Sequence, residues 1–360
     1  MTVAQRRIGI SLGNIGALHD GLGEFSLQIG QRIAAAAPAW RQQHGVEFSF
    51  HLREKLFGLF GNNVPYLPVN RWQRVRHVQP GAPFALWHSL HQLNKTLPPL
   101  AARVRVVTVH DLNYLYGRNV VSRWRHHRRT LALARRTDVM VAISHHTAGD
   151  VRQHLGWTGD VEVIHNGARS FVGVPQEPLP GWAAEDTRPF IYHLSRMSPS
   201  KNPGAIVELA RIWPDMTFVL CGPPADDAKQ LRAKVQLPNL QFHLGISEAQ
   251  KAWAYAHCAA FLFPSLTEGF GLPPIEAMHF GKPVVLARRT CLPEIGGDAA
   301  DYMDSFDPQS MKQVVEHALL RHRQPGRADA IRQHAAQFDW DRAAAGYLAL
   351  YARLLALAPG

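Results

Sequence analysis

Two glutamates bracket the run Thr267-Glu268-Gly269-Phe270-Gly271-Leu272-Pro273-Pro274-Ile275-Glu276, and the residues between them suit a bound phosphate. Gly269 and Gly271 let a backbone approach a ligand closely. Pro273 and Pro274 suit a first helical turn, where amide hydrogens have no intrahelical partner. A helix N-terminus of that kind is an anion site. Glu268 and Glu276 are not spaced to sit side by side as i and i+4 residues do, so they are expected to accept hydroxyls at opposite ends of a long ligand. A glycosidase-type carboxylate pair is the alternative, although nothing nearby resembles a hydrolase pocket. Arg196 and Lys201, five residues apart, are placed so that both reach one pyrophosphate. His110, followed by Asp111, closes a β-branched run, and Gly21-Leu22-Gly23 follows another. No H-E-x-x-H, D-x-D or other metal spacing stands out, so no metal and no cofactor is expected.

These residues must be held by something, and the pattern around them is a short β-branched run, a loop, then a segment with helical spacing. That alternation predicts parallel α/β architecture. Strands are expected at 7–12, 48–52, 104–109, 139–143 and 161–164, and again at 190–194, 217–220, 241–244, 260–263 and 284–286. Helices are expected at 122–136, 202–212, 247–257, 273–279, 309–321 and 341–357, with Ser247 and Gln250 forming a capping box. Ligands of such sheets bind beyond the carboxyl ends of the strands, which is where the residues above fall. The Pro- and Gly-rich stretch 171–189 reads as a linker. The expected domains are therefore 1–170 and 190–337, with 338–360 packing back on the first.

At 360 residues the chain is long enough for two domains. Its 46 % hydrophobic and 19 % charged residues describe a foldable globular protein. No apolar run approaches the length of a membrane span, and Arg6-Arg7 followed by Ile8-Gly9-Ile10 does not read as a secretion signal, so a cytoplasmic location is expected. The 3 cysteines lack metal or disulfide spacing and read as buried small hydrophobes. The net charge of +11 is not evenly spread. Residues 1–170 hold 21 Lys+Arg against 9 Asp+Glu, whereas the remainder holds 18 against 19, so the whole excess lies in the first domain. Such asymmetry implies an anionic partner: a membrane, a phosphorylated lipid or a nucleic acid.

The run LFPSLTEGFGLPPIEAMHFGKPVV resembles the signature of glycosyltransferase family four, the retaining, sugar-nucleotide-dependent enzymes of the GT-B fold. GLGEF, VHDLNYL, AISHHTAGDV, VIHNGA and LSRMSPSKN are also similar to segments of that family. The resemblance implies two facing Rossmann-like domains with an interdomain cleft, and a nucleoside-diphosphate sugar as donor. It implies that Arg196 and Lys201 hold the diphosphate and that Glu276 takes the ribose hydroxyls. Glu268 with the backbone of Gly269, Phe270, Gly271 and Leu272 would hold the transferred sugar and its phosphate. His110 would lie near the sugar, and Gly21 and Gly23 would let a first-domain loop close on the phosphates. The implied reaction moves a hexose, with mannose slightly preferred, to a glycan or lipid-linked acceptor in cell-surface polysaccharide or lipopolysaccharide synthesis. Another GT-B enzyme, such as a nucleotide-sugar epimerase or a phosphorylase, is the nearer rival. A nucleic-acid-binding protein is the rival from another class, although no RNA-recognition or zinc-finger pattern is present and no nucleic-acid partner is expected.

The basic excess centres on Arg118, Arg123, Arg125, Arg128, Arg129, Arg135 and Arg136. Helical spacing puts Arg125, Arg128, Arg129 and Arg136 near one face, with Trp124, Leu131 and Ala134 turned elsewhere. A second set, Arg53, Lys55, Arg71, Arg74 and Arg76, is interleaved with Phe57, Phe60 and Trp72, side chains suited to a lipid interface. These surfaces are expected to meet an anionic membrane or the acceptor.

Overall fold

The computed structural model describes residues 6–12, 21–70, 73, 83–94, 96–116, 119–182 and 188–357. The chain forms two compact units, one of residues 1–167 with 339–360, the other of residues 168–338.

The first unit holds an all-parallel sheet of β1 (Arg6–Ser11), β2 (Val46–Leu52), β3 (Tyr66–Pro68), β4 (Leu86–Ser89), β5 (Val104–Val109), β6 (Val139–Ala142) and β7 (Val161–Val163), in the order β3-β2-β1-β4-β5-β6-β7. Its helices are α1 (Gly21–His44), α2 (Val120–Ala134), α3 (His145–Leu155) and the returning α11 (Trp340–Leu354). The central strand β4 is buried along its whole length although half of its residues, His88 and Ser89, are polar.

α1 was not anticipated. Gly21 and Gly23 were expected in a phosphate-closing loop, but they form the first turn of this helix, and Gly23 is buried. Phe25, Ile29, Ile33 and Ala37 recur at helical spacing and are buried; that stripe outweighs the glycines' preference for loops. α11 lies in the first unit. Its Trp340 packs so closely that a Cβ on Gly167 would lie 2.3 Å from the Trp340 nitrogen. Its Tyr351 hydroxyl bonds His88 Nδ1 at 2.6 Å, and its Tyr347 hydroxyl bonds Thr108 at 3.2 Å.

The second unit holds β8 (Phe190–Leu194), β9 (Thr217–Gly222), β10 (Leu240–Leu244), β11 (Ala260–Phe263), β12 (Val284–Ala287) and β13 (Asp301–Met303). They form an all-parallel sheet in the order β10-β9-β8-β11-β12-β13. Its helices are α4 (Pro203–Ile212), α5 (Asp226–Lys234), α6 (Glu248–His257), α7 (Leu272–His279), α8 (Leu292–Gly296), α9 (Pro308–His322) and α10 (Arg327–Ala335). The Ser247–Gln250 capping box starts α6 as its sequence indicates. The order reverses between β8 and β11, and at such a switch point the loops leaving the two strands diverge and open a crevice.

The described part of the stretch expected as a linker is no linker. Phe171, Leu179 and Trp182 are buried. Trp182 donates to Gln241 at 2.8 Å and packs against Phe190 and Trp253, with centroids 4.9 and 5.6 Å away. Proline and glycine content suggested a loose tether, but these aromatic side chains hold the segment to the second unit.

Burial lowers the pKa of several histidines, among them His51, His110 and His193 to about 4 and His88 to about 3. Each is neutral when folded and has an ordinary pKa of about 6.5 when unfolded. Between those values the unfolded chain binds protons that the folded chain refuses, so stability is complete above pH about 6.5 and is lost as the pH falls towards about 4. The thermal unfolding midpoint should stay level above neutrality and drop steeply below pH about 6. A midpoint independent of pH across that window would contradict neutral burial of these rings.

Candidate functional site

The second unit's crevice is built from the loops that follow β8 and β11. After β8 the chain turns through Ser195, Arg196, Met197 and Ser198, makes a short 3₁₀ turn over Pro199–Lys201, and enters α4. Met197 and Asn202 both take positive φ, 56° and 52°, a conformation side chains ordinarily avoid. What holds Met197 there is a chain of hydrogen bonds. The carbonyl of Leu262 can only accept, so His193 donates to it from Nδ1 at 2.9 Å. In the neutral ring Nε2 is then an acceptor, taking the Ser195 hydroxyl proton at 2.7 Å. The Ser195 oxygen in turn accepts the Met197 amide at 2.9 Å. Burial keeps His193 neutral, with the nearby Lys201 charge acting in the same direction. Gly222 completes the turn: a Cβ there would lie 2.0 Å from the Ser195 carbonyl oxygen. Arg196 is thereby presented on an exposed loop.

The loop after β11 is tied to this one. The Ser200 carbonyl accepts the Leu266 amide at 2.8 Å and the Ser265 hydroxyl at 3.2 Å. Just beyond these contacts Lys201 and Glu268 are paired Nζ to Oε1 at 2.5 Å, with both side chains largely shielded from solvent. Glu268's own backbone is gripped from the far side. Its amide donates to Thr290 Oγ1 at 3.2 Å. The Cys291 thiol lies 3.5 Å from the Glu268 carbonyl and 3.2 Å from that of Phe270. Burial pushes that thiol's pKa well up, so Cys291 is a hydrogen-bonding wedge and not a nucleophile. Gly271, at φ 103°, caps α7, and Leu272, Pro273 and Pro274 form its first turn. Glu276 sits farther along α7, buried, where its Oε2 accepts the Tyr255 hydroxyl at 2.7 Å.

Arg196, Lys201, Glu268, Gly269, Phe270, Gly271, Leu272 and Glu276 therefore all lie on the β8 and β11 loops or on the helix that follows. The two glutamates have different partners, Lys201 for Glu268 and Tyr255 for Glu276. Phe270 is buried, its ring packing edge-on to Phe338 at 5.7 Å. His193, Ser195, Tyr255, Thr290 and Cys291 were missed. Only Ser195, adjacent to Arg196, carried a local signal; the others act across long sequence separations.

His110, Gly21 and Gly23 belong to the first unit. The ring of Phe25, on α1 close after the glycines, meets His110 edge-on at 4.5 Å. His110 Nε2 donates to the Leu90 carbonyl at 2.8 Å. With its pKa lowered by burial to about 4, the ring is neutral near pH 7 and presents Nδ1 as an acceptor.

Residues 179–336 match the sequence model of the family described as glycosyl transferases group 1. That segment is a group 1 glycosyltransferase domain. Serotype-specific mannosyltransferase WbdA of Escherichia coli is 38 % identical over 103 residues, 28 % of this chain and 12 % of the relative. O-antigen chain mannosyltransferase B of the same species is 38 % identical over 91 residues, 25 % of this chain and 24 % of the relative. A D-inositol 3-phosphate glycosyltransferase of Mycolicibacterium vanbaalenii is 25 % identical over 240 residues, covering 61 % and 53 % of the two chains. The chain thus aligns with only a minor part of the two mannosyltransferases. Among solved structures, a sucrose-phosphate synthase from Thermosynechococcus elongatus superposes with a TM-score of 0.73 at 16 % identity, covering 98 % and 99 % of the chains. Anabaena HepE in complex with UDP and glucose superposes at 0.69 and 17 % identity, covering 97 % and 100 %. At such identities these likenesses establish the fold, which is GT-B.

Tyr255→Phe removes the donor to a buried carboxylate and should destabilise the domain by about 1–3 kcal/mol. In a double-mutant cycle with Glu276→Gln, urea denaturation should return a coupling of the same sign. Strictly additive losses would mean that the Tyr255–Glu276 contact is energetically idle.

Proposed function

We propose that the protein is a glycosyltransferase moving a hexose, with mannose preferred, from a nucleoside-diphosphate sugar to a glycan or lipid-linked acceptor. We further propose that it serves cell-surface polysaccharide or lipopolysaccharide synthesis on the cytoplasmic side of the membrane. The observation that carries the reading is the set formed by Arg196, Lys201 and the α7 N-terminus, at the switch point of a group 1 domain. Mannose is supported by the mannosyltransferases that align at 38 % identity.

In the proposed reaction the bond from the sugar's anomeric carbon to the diphosphate breaks, and a bond from that carbon to the acceptor hydroxyl oxygen forms on the same face. The acceptor's proton passes to the departing phosphate oxygen, and configuration is retained. Negative charge grows on the diphosphate as it leaves. Arg196, Lys201 and the amides of Phe270, Gly271 and Leu272 are assigned to that charge; fixed donors of this kind stabilise a transition state more than a ground state. Lys201 is already held in position by Glu268. Glu268 is assigned to the transferred sugar's hydroxyls and Glu276 to the ribose. His110, neutral and offering only an acceptor at Nδ1, is assigned to a sugar hydroxyl and not to acid catalysis. Gly21 and Gly23 retain a phosphate role as the first turn of a helix, a position that favours anions. No metal is required by this scheme, because the side-chain cations and amides already answer the leaving group's charge.

Arg196→Ala or Lys201→Ala should lower kcat/KM by about 100-fold or more, ~3 kcal/mol, with mannosyl transfer from GDP-mannose followed by product analysis. Near-normal turnover in both variants would overturn the assignment. Activity should survive excess EDTA; loss restored by Mg²⁺ or Mn²⁺ would show that a metal carries the leaving-group charge.

Glu276→Ala should weaken binding of the sugar donor and the free nucleoside diphosphate alike, because ribose is common to both. Glu268→Ala should chiefly weaken the sugar-bearing donor. Calorimetric titration separates the two, and equal losses for the free diphosphate in both variants would contradict the division.

A further inference from the structure

The face of α2 that points away from the core is built in an unusual way. The helix starts at an Asn119 cap, whose side chain accepts the Ser122 amide at 2.9 Å, and buries Thr130, Leu133 and Ala134. At 100° per residue, the opposite face carries Val121, Trp124, Arg125, Arg128 and Ala132, with Val120 and Arg129 on its flanks. Trp124 was expected to turn away from the arginines; instead it shares their face. Val120 is 62 % exposed, Val121 67 % and Trp124 56 %, and Tyr116 just before the helix is 55 % exposed. A helix usually hides such side chains and shows its polar ones. The guanidinium of Arg128 lies over the Trp124 ring, 4.7 Å from its centroid.

The charge around this apolar cluster has one sign. α2 carries Arg123, Arg125, Arg128 and Arg129 and no acidic residue. Of the acids on neighbouring segments, Asp138 is bound by Arg105 at 2.9 and 3.0 Å, and Asp150 of α3 lies 3.6 Å from His146 and 4.0 Å from His154. Of the other basic set, Arg53 and Lys55 lie among the described residues. Phe60 is buried against Phe50, centroids 5.0 Å apart, and Phe57 is stacked on Tyr66. Arg71, Trp72, Arg74, Arg76 and also Arg118 lie outside the described residues.

Exposed valines and a tryptophan ringed by arginines match the two layers of an anionic bilayer surface: acyl chains beneath, phosphates above. A soluble glycan would use the indole but has nothing for the valines, and a nucleic acid would use the arginines alone. We propose that the first two turns of α2 dock in the interface of an anionic lipid bilayer. Val120, Val121 and Trp124 enter the acyl boundary, while Arg125, Arg128 and Arg129 pair with headgroup phosphates. The proposal deepens the reading of a lipid-linked acceptor, on which only its biological purpose rests.

The test is flotation of the whole protein with vesicles of equal parts phosphatidylglycerol and phosphatidylcholine, or of phosphatidylcholine alone, at about 0.05 M and about 1 M salt. The protein should float with the anionic vesicles only. Arg125→Glu, Arg128→Glu and Arg129→Glu together should lower the partition coefficient about 100-fold. Val121→Ser with Trp124→Ser should lower it about 10-fold and abolish the binding left at high salt. Equal binding to both vesicle types, no binding to either, or a serine variant indistinguishable from the parent would each overturn the proposal. Nucleoside-diphosphate binding is measured on the same samples. Its absence from the parent would count against the proposed function alone, and vesicle results against the docking alone.

Discussion

The carbonyl oxygen of Ser200 holds the proposed donor site together. It accepts from both the amide of Leu266 and the hydroxyl of Ser265, joining two loops that the sheet itself drives apart at the reversal of strand order. Lys201 follows that tie directly and Glu268 lies two residues beyond it, so their pairing is a consequence of backbone placement and not only of charge attraction. A partly shielded lysine–carboxylate pair adds little net stability once desolvation is counted; its value lies in fixing where the ammonium points. The His193 chain and the Thr290–Cys291 grip act in the same way, each spending a buried polar group to hold a loop in one shape.

Much of this was legible in the sequence. The bounds of β5, β8 and β11 coincide with the β-branched and aromatic runs, and α7 begins one residue before the double proline that signals it. The glutamates, Arg196 and Lys201 stood out because loops at strand ends announce themselves by glycine, proline and charge. What escaped was set at a distance. Tyr255 is separated from Glu276 by a whole strand, and His193 reaches Ser195 only because β11 supplies the Leu262 carbonyl beside it. α1 escaped because two glycines at its start read as a loop, although the apolar stripe behind them was regular. β4 and β13 are short, and β4 carries Trp87, His88 and Ser89, a mixture with no β-branched residue to mark it. Helical spacing alone could order the residues around α2 but not say which side meets the core.

The first unit relies on buried rings that are polar at one edge. His88 joins Thr108 of β5 to Tyr351 of α11, and Ser11 and Gln73 hold His51 from opposite sides. Each bond satisfies a group that would otherwise be costly to bury, and together they select one packing of α11 against the sheet where apolar residues alone would accept several.

α11 also has a meaning in time. Residues 168–338 form a continuous insertion, and the ends of that insertion meet where the Ala168 amide donates to the Phe338 carbonyl at 3.0 Å. During synthesis the second unit therefore leaves the ribosome complete, while the first still lacks Trp340, Tyr347 and Tyr351 and exposes the apolar surface they later cover. The core of the first unit is thus completed only after the second unit has been made, and until α11 arrives its apolar surface is open to aggregation.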